Sequence, residues 1–241
     1  MGNRNQLDPN LKVITSPVQA LEQERILLTD VLLGKCPTAL SIWTTSRSLV
    51  VPRRLKNKSN FARAKTNSRA RGWTVVVRDS GGGATPQGNG IVNVTYAYVC
   101  DQHPSIAEGY SEICAPIIRL AHEFGEEASC DYVNGSFCDG QYNVVCRSRK
   151  LAGTAQRRSR QKGRASRAVL FAHALILVDH DLVESTRALN EFYQDCEDNV
   201  TVDVDAHVNL NDLSEELPIQ SMDEVAYFFY QEYSNFLSKF C

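Results

Sequence analysis

Gly135–Arg158 reads GSFCDGQYNVVCRSRKLAGTAQRR: a lone cysteine between glycine-bearing turns, followed twelve residues later by a lysine. Val144-Val145 and Lys150 to Ala155 read as strands. A thiol is a good acyl acceptor only as thiolate, and a thiolate needs a nearby cation or backbone donors to hold its charge. Cys138 has candidates for both. Gly135, Ser136 and Gly140 are small enough to let backbone amides approach a reacting carbonyl, and Lys150 brings positive charge to the thiolate or to an acyl oxyanion. Burial is the ordinary fate of a cysteine, so this stretch needs a second observation before its chemistry is read as catalytic.

Arg78–Asn93, RDSGGGATPQGNGIVN, supplies it. The segment leaves the strand-like run Trp73 to Val77, and three successive glycines can wrap their N–H groups around an anion or a polarised carbonyl, with Arg78 at the same edge. It is neither a Walker loop, which ends in Gly-Lys-Ser/Thr, nor the spaced dinucleotide fingerprint.

Taken in this order, Arg78-x-Ser80-Gly81-Gly82-Gly83, Gly90-x-x-Asn93 and Arg149-Lys150-Leu151-Ala152-Gly153-Thr154-Ala155 resemble the biotin/lipoate A/B protein ligase family, over about Leu21 to Tyr193. The Gly-Ser-Phe-Cys-Asp-Gly turn is most similar to that of the cysteine-dependent octanoyl or lipoyl protein transferases, with Cys138 at the position of the acyl-enzyme thiol. The resemblance implies an α+β catalytic domain, a mixed and largely antiparallel sheet flanked by helices. It implies an octanoyl or lipoyl transfer through a Cys138 thioester, from an acyl carrier protein or a glycine-cleavage H-type protein to a lysine of a lipoyl domain of a 2-oxoacid dehydrogenase. Cys138 and Lys150 are then catalytic. Arg78, Ser80, Gly81, Gly82, Gly83, Asn93, Gly135, Ser136, Gly153, Thr154, Ala155 and His173 are expected to bind substrate. Val75, Val77, Val94, Leu151 and Ala155 are candidate walls for the acyl chain, and His173 either lines that pocket or helps to move a proton.

Departures from the ATP-using lipoate ligases bear on the cofactor. Those enzymes carry Arg-Arg before the glycine run and His-Asp after it, where this chain has Val77-Arg78 and Gln87-Gly88. The chain also stops soon after the motifs, without room for an accessory domain. The expectation is a single domain over residues 1–241 that requires no cofactor, with ATP and magnesium entering only if the protein is an ATP-dependent lipoate-protein ligase. A second alternative, of another class, is a basic module that binds nucleic acid or an acidic protein without catalysis.

With 43% hydrophobic and 22% charged residues, 241 residues can bury one good core. No apolar run is long enough to cross a membrane, and MGNRNQLDPN lacks the layout of a secretory signal, so a cytoplasmic protein is expected. The eight cysteines show no Cys-x-x-Cys and no histidine at zinc-finger spacing. Free thiols and no metal site are the expectation.

Helices are expected from Ser16-Pro17 to Gly34, from the Ser105-x-x-Glu108 capping box to Gly125 with a kink or local break at Pro116, over Leu182 to Gln194, and over Met222 to Phe240. Further strands are expected at Leu40 to Thr44, Leu49 to Val51, Ile91 to Val99 and Ala168 to Val178.

The net charge of −2 conceals segregation. Arg53 to Arg71 holds eight basic side chains and Arg147 to Arg167 nine, with no acidic residue in either, while half of the acidic residues lie between Asp179 and Glu224. Such runs read as solvated loops, or as a docking surface for an acidic partner. Nucleic acid is disfavoured because no aromatic residue interleaves Arg157 to Arg167.

Overall fold

The computed structural model describes residues 11–14, 16–101, 104–213 and 221–240. Its elements run β1 (Leu11–Val13), α1 (Pro17–Leu32), β2 (Thr38–Thr44), β3 (Ser48–Pro52), α2 (Arg53–Lys56), α3 (Phe61–Ala70), β4 (Thr74–Arg78), β5 (Thr85–Gln87) and β6 (Ile91–Cys100). They continue with α4 (Ile106–Glu123), β7 (Ala128–Asp131), β8 (Asn143–Cys146), β9 (Arg149–Gln161), β10 (Arg164–Leu177), α5 (Leu182–Asp195) and α6 (Met222–Leu237), with short 3-10 turns at Val204–Ala206, Leu210–Asp212 and Ser238–Phe240.

Seven strands form the main sheet in the order β1-β2-β6-β10-β9-β8-β7, antiparallel except for the β1–β2 pair. A second sheet, β4-β3-β5, pairs β3 parallel to β4 and antiparallel to β5. The α+β architecture and the mixed, largely antiparallel sheet match the sequence expectation.

β6 and β10 read as almost continuous apolar runs because both faces of the sheet centre are covered. Side chains alternate along a strand. Leu170, Ala172, Ala174 and Ile176 of β10 join the core under α4 and α6, with Tyr96, Ile113, Ile117, Phe229 and Tyr233. On the opposite face, Val169 packs with Leu28 and Val31 of α1, while Leu175 and Leu177 meet Leu49, Val51, Trp73 and Phe192 from the small sheet and α5. The small sheet is thereby pressed onto the main sheet, and the glycine loop that follows β4 meets the turn that precedes β8.

Serine caps start α1, α4 and α6, the second with a full capping box from Ser105 and Glu108. α4 runs unbroken from Ile106 to Glu123 with Pro116 buried inside it, so neither a local break nor an early stop occurs there. Packing of its apolar stripe offsets the lost backbone bond.

The basic runs are not loops. Arg53 to Arg71 folds into α2 and α3, and α3 lies along α5 through Arg71–Glu191 (2.8 Å), Arg71–Asp195 (2.6 Å) and Asn67–Asp195 (2.9 Å). Arg54 and Lys58 both reach Asp198. The acidic excess after Asp179 thus partners the basic excess before Arg71 within the chain. The second run is the β9–β10 hairpin, whose Arg158 donates to the Pro104 carbonyl and whose Arg167 pairs with Asp101. No described helix is long and apolar enough to cross a membrane. Cys241 lies outside the described residues.

Candidate active site

β4 ends at Arg78, and the chain curls back over that side chain. Arg78 Nη2 donates to the carbonyls of Gly81 (2.9 Å) and Gly83 (2.7 Å), and Nη1 to Thr85 Oγ1 (3.3 Å). The same Nη2 lies 3.3 Å from the Sγ of Cys138, and the Gly83 N–H donates to that sulfur at 3.3 Å. Gly82 and Gly83 are sterically required, whereas a Cβ on Gly81 would stand in open space. A Cβ on Gly82 would sit 2.7 Å from the sulfur, and Gly82 holds a left-handed φ of +87°. A Cβ on Gly83 would meet the Cys138 backbone at 3.1 Å and the Tyr193 hydroxyl at 3.2 Å.

Cys138 itself is left-handed, with φ +45°, which costs a non-glycine residue roughly 1 kcal/mol. The surrounding turn supplies the offset. Asp139 Oδ1 accepts from the N–H groups of Val133 (3.2 Å) and Gly140 (2.8 Å) and from Asn143 Nδ2 (2.8 Å). The Gly135 carbonyl accepts from Asp203 N (2.8 Å), and Ser136 N donates to Val133 O (3.1 Å).

Lys150, at the start of β9, is fully buried, and its Nζ donates to the carbonyls of Phe137 (2.6 Å) and Cys138 (3.3 Å) while sitting 4.7 Å from the Phe137 ring centre. Burial pushes its pKa down to about 8, against the opposing pull of Cys138 and Asp139. For Cys138, burial pushes the thiol up, but the charges of Arg78 and Lys150 and the Gly83 amide outweigh it and leave the thiol below its ordinary value. The arrangement is a thiolate site: one cation and one backbone donor on the sulfur, and a second cation beneath the turn.

The structure brings Cys138, Lys150, Arg78, Gly81, Gly82, Gly83 and Gly153 into one constellation. Gly153 leaves the space that Lys150 fills, since a Cβ there would lie 3.0 Å from its Cε and 3.1 Å from its Nζ. Gly135 and Ser136 build the turn without touching the sulfur in any of its hydrogen bonds, and Ser80 is exposed at the loop's outer edge. Thr154 bonds the Tyr142 carbonyl (2.5 Å) from the face opposite Gly153.

Asn93 is buried and exchanges two hydrogen bonds with Gln87 (2.9 and 2.8 Å). His173 is cross-strand from Ala155 and Thr95, and its Nδ1 lies 2.8 Å from Glu24 and 3.0 Å from Thr95. Both polar groups are therefore engaged with other side chains. Among the expected acyl walls, Val75 and Val77 belong to the core that also contains Phe137 and packs Cys138, whereas Val94 and Leu151 face α4 and α6.

Two participants, Tyr193 and His207, carry no local signal in the sequence. Tyr193 accepts the Ala84 N–H at 2.6 Å across 109 positions, His207 accepts the Phe137 N–H at 3.0 Å across 70, and the Phe137 ring stacks on His207 at 4.4 Å. Only tertiary contact marks them.

Comparison with known proteins agrees with this geometry. Residues 16–233 match the model of the lipoyl protein ligase A/B catalytic domain. The chain belongs to that family. An uncharacterized protein of Cupriavidus necator is 33% identical over 181 residues, 70% of this chain and 71% of its own length. The octanoyl-[GcvH]:protein N-octanoyltransferase of Kyrpidia tusciae is 30% identical over 161 residues, 66% of this chain and 56% of its own. The chain thus spans about half the length of the octanoyltransferases it matches. Among solved structures, lipoate-protein ligase A bound with ATP superposes with a TM-score of 0.67 at 16% identity, covering 95% of this chain and 85% of that one. The bi-partite lipoate protein ligase of Thermoplasma acidophilum gives 0.62 at 16% identity, with 97% and 85% covered. At those identities the likeness establishes the lipoyl protein ligase fold. In this member of the lipoate-protein ligase enzymes, the glycine loop and the Lys150 strand close around a cysteine.

Proposed function

We propose that the protein is an acyltransferase that moves an octanoyl or lipoyl group from a carrier protein, through a thioester on Cys138, to a lysine of a lipoyl domain. The observation that carries this reading is the sulfur of Cys138 held at 3.3 Å by both the Arg78 guanidinium and the Gly83 N–H. A structural cysteine has no use for two donors and a buried lysine beneath it. The names of the octanoyltransferase relatives supply the acyl group and a GcvH-type donor as the first choice of substrate.

The thiolate attacks the acyl carbonyl carbon, forming the C–S bond. The bond to the donor then breaks, and the departing amine or thiol takes one proton from solvent, which the second half returns. In the second half, the ε-amine of the acceptor lysine attacks the thioester carbonyl, the C–S bond breaks, the amine sheds a proton, and Cys138 returns as thiolate. Arg78 and the Gly83 amide stabilise the thiolate at both its departure and its return, and Lys150 holds the two carbonyls that set the turn. Exchange of one lysine amide for another conserves bond type, so the reaction needs no nucleotide and no metal. Gln87, which stands where ATP-using ligases carry histidine, spends its amide on Asn93.

The test is intact mass after incubation with an octanoylated GcvH-type carrier, and separately with octanoylated acyl carrier protein, without ATP. One octanoyl adduct that hydroxylamine removes and Cys138→Ser lacks is expected. An adduct on the acceptor that appears only with free octanoate and ATP would replace this reading with the ligase one.

A further inference from the structure

We propose that His207 is a positioning residue for the nucleophile: its neutral imidazole, carrying its proton on Nδ1, accepts the Phe137 N–H and stacks on the Phe137 ring, and so holds the Cys138 turn under Arg78. This rests on Cys138 as the reacting thiol.

The geometry is specific. Phe137 immediately precedes the left-handed Cys138, and its peptide unit is gripped on every side. The N–H goes to His207 Nε2 at 3.0 Å, and the carbonyl goes to Lys150 Nζ at 2.6 Å. The ring lies 4.4 Å from the imidazole, tilted by only 11°, and 4.7 Å from the lysine nitrogen. His207 is in turn fixed to the lysine's strand, because it bridges Lys150 and Val208 N donates to Lys150 O at 3.0 Å. Histidine and lysine are thus two arms of one clamp around a single residue.

The tautomer follows from the donor. An N–H pointing at Nε2 requires a lone pair there, so the neutral ring bears its proton on Nδ1. The ring is 1% exposed, and the backbone carbonyls of Val204 and Asp203 lie on its Nδ1 side, which suits a proton there. Core packing alone would fill this site with an apolar ring at lower cost, since taking a polar ring out of water is unfavourable unless its bonds repay it. The retained imidazole is accounted for by the acceptor it offers at Nε2. Burial, with Lys150 facing the ring from β9, pushes the His207 pKa down to about 4, against Asp203 on the preceding loop. The ring is accordingly neutral, and an acceptor, throughout the neutral range.

The experiment compares His207→Leu, which removes the acceptor, with His207→Gln, whose Oε1 reaches the place of Nε2. Iodoacetamide alkylation at pH 7.5 is followed by peptide mass spectrometry at Cys138, with exposed Cys130 as an internal control. The expected result is a fall of tenfold or more at Cys138 in the leucine variant, by the order of one lost hydrogen bond to a strained turn, with Cys130 unchanged and the glutamine variant recovering most of the rate. Acyl transfer should lose kcat and keep the KM for carrier. Equal Cys138 rates in wild type and His207→Leu, or a glutamine variant as slow as the leucine one, overturn the assignment. Should the leucine variant not fold, nitrogen chemical shifts of His207 in the wild type decide the matter: a proton on Nδ1 supports the clamp, and a proton on Nε2 or titration near the ordinary value of about 6.5 ends it. Alkylation needs no acyl donor. A normal His207 dependence without any acyl adduct would therefore remove the transfer reading and leave the clamp standing.

Discussion

Arg78 and Cys138, sixty positions apart in the chain, meet at 3.3 Å, and the guanidinium that touches the sulfur also ties down the carbonyls of Gly81 and Gly83. One side chain therefore shapes the glycine loop and charges the surroundings of the thiol. Arg78→Lys keeps the charge but lacks the planar fork that reaches Gly81 O, Gly83 O, Thr85 Oγ1 and the sulfur together. We expect it to lower kcat/KM by at least tenfold, and steady-state transfer from an octanoylated carrier checks it.

Lys150→Met removes the buried cation and both carbonyl contacts. The Cys138 thiol should then titrate nearer the ordinary value of about 8.5, and transfer at pH 7 should fall by roughly a hundredfold, in line with losing a charge-assisted contact in a buried site. The pH profile of Cys138 alkylation reads this directly. A methionine variant with wild-type activity would leave Lys150 without the assigned role.

Gly153→Ala acts on the same lysine from three residues further along β9. The new methyl at 3.0 Å from Lys150 Cε and 3.1 Å from Nζ pushes the lysine tail by a few tenths of an ångström and weakens its bond to the Phe137 carbonyl. The expected outcome is the Lys150→Met phenotype in weaker form, with a loss of stability of about 1 kcal/mol from overpacking. Gly82→Ala, at an exposed loop position with φ +87°, should instead abolish alkylation of Cys138 while leaving Tm within a few degrees.

Activity and stability should diverge above pH 8. The folded-state pKa of Lys150 is depressed from 10.5 to about 8, so between those values the unfolded chain binds the extra proton. The group's contribution to stability is full above about 10.5 and is lost as pH falls to about 8. Cys138, also depressed, has the same sign. Transfer, by contrast, rises as Cys138 ionises and falls as Lys150 loses the charge that supports the thiolate. Urea midpoints and kcat/KM measured on the same samples from pH 6.5 to 10 would show the first rising while the second declines.

Arg71→Ala should cost about 1 kcal/mol by removing the pairs to Glu191 and Asp195 that join α3 to α5. Burial pushes the Asp195 carboxyl up, but the bonds from Arg71 and Asn67 outweigh it and hold it low. Its stabilising contribution is present above the ordinary aspartate value and fades as pH drops through the folded one. Thermal melts at pH 7 and pH 3 of both proteins measure the difference. The expected gap is smaller at pH 3.

The boundaries of α1 and α4 were readable because serine caps and apolar spacing are local properties of the chain, and so were β6 and most of β10 as apolar runs. β5, with Pro86 at its centre, and the arginine-rich half of β9 were not. Their strand state comes from a neighbour: β3 supplies the partner for β5, and β10 supplies an apolar ladder for Arg157 to Gln161. The basic run Arg53 to Arg71 has a solvated composition, yet it is held as helices by burial of Leu55 and Ala64 and by carboxylates of α5 and of Asp198 just after it.

Sequence by itself singled out the groups proposed to do the chemistry, since a cysteine among small residues, a glycine run after a strand and a lysine at fixed spacing are written in the residue order. Only the tertiary structure decided that Arg78, Gly83 and Lys150 converge on Cys138, that Gly153 exists to make room for a lysine, and that Tyr193 and His207 brace the loop and the turn. The physical reason is range. Propensity and capping act over a few residues, whereas the field on a thiol is set by whatever charges and amides lie within a few ångströms, and packing of the small sheet onto the main one chooses those from segments up to a hundred residues apart.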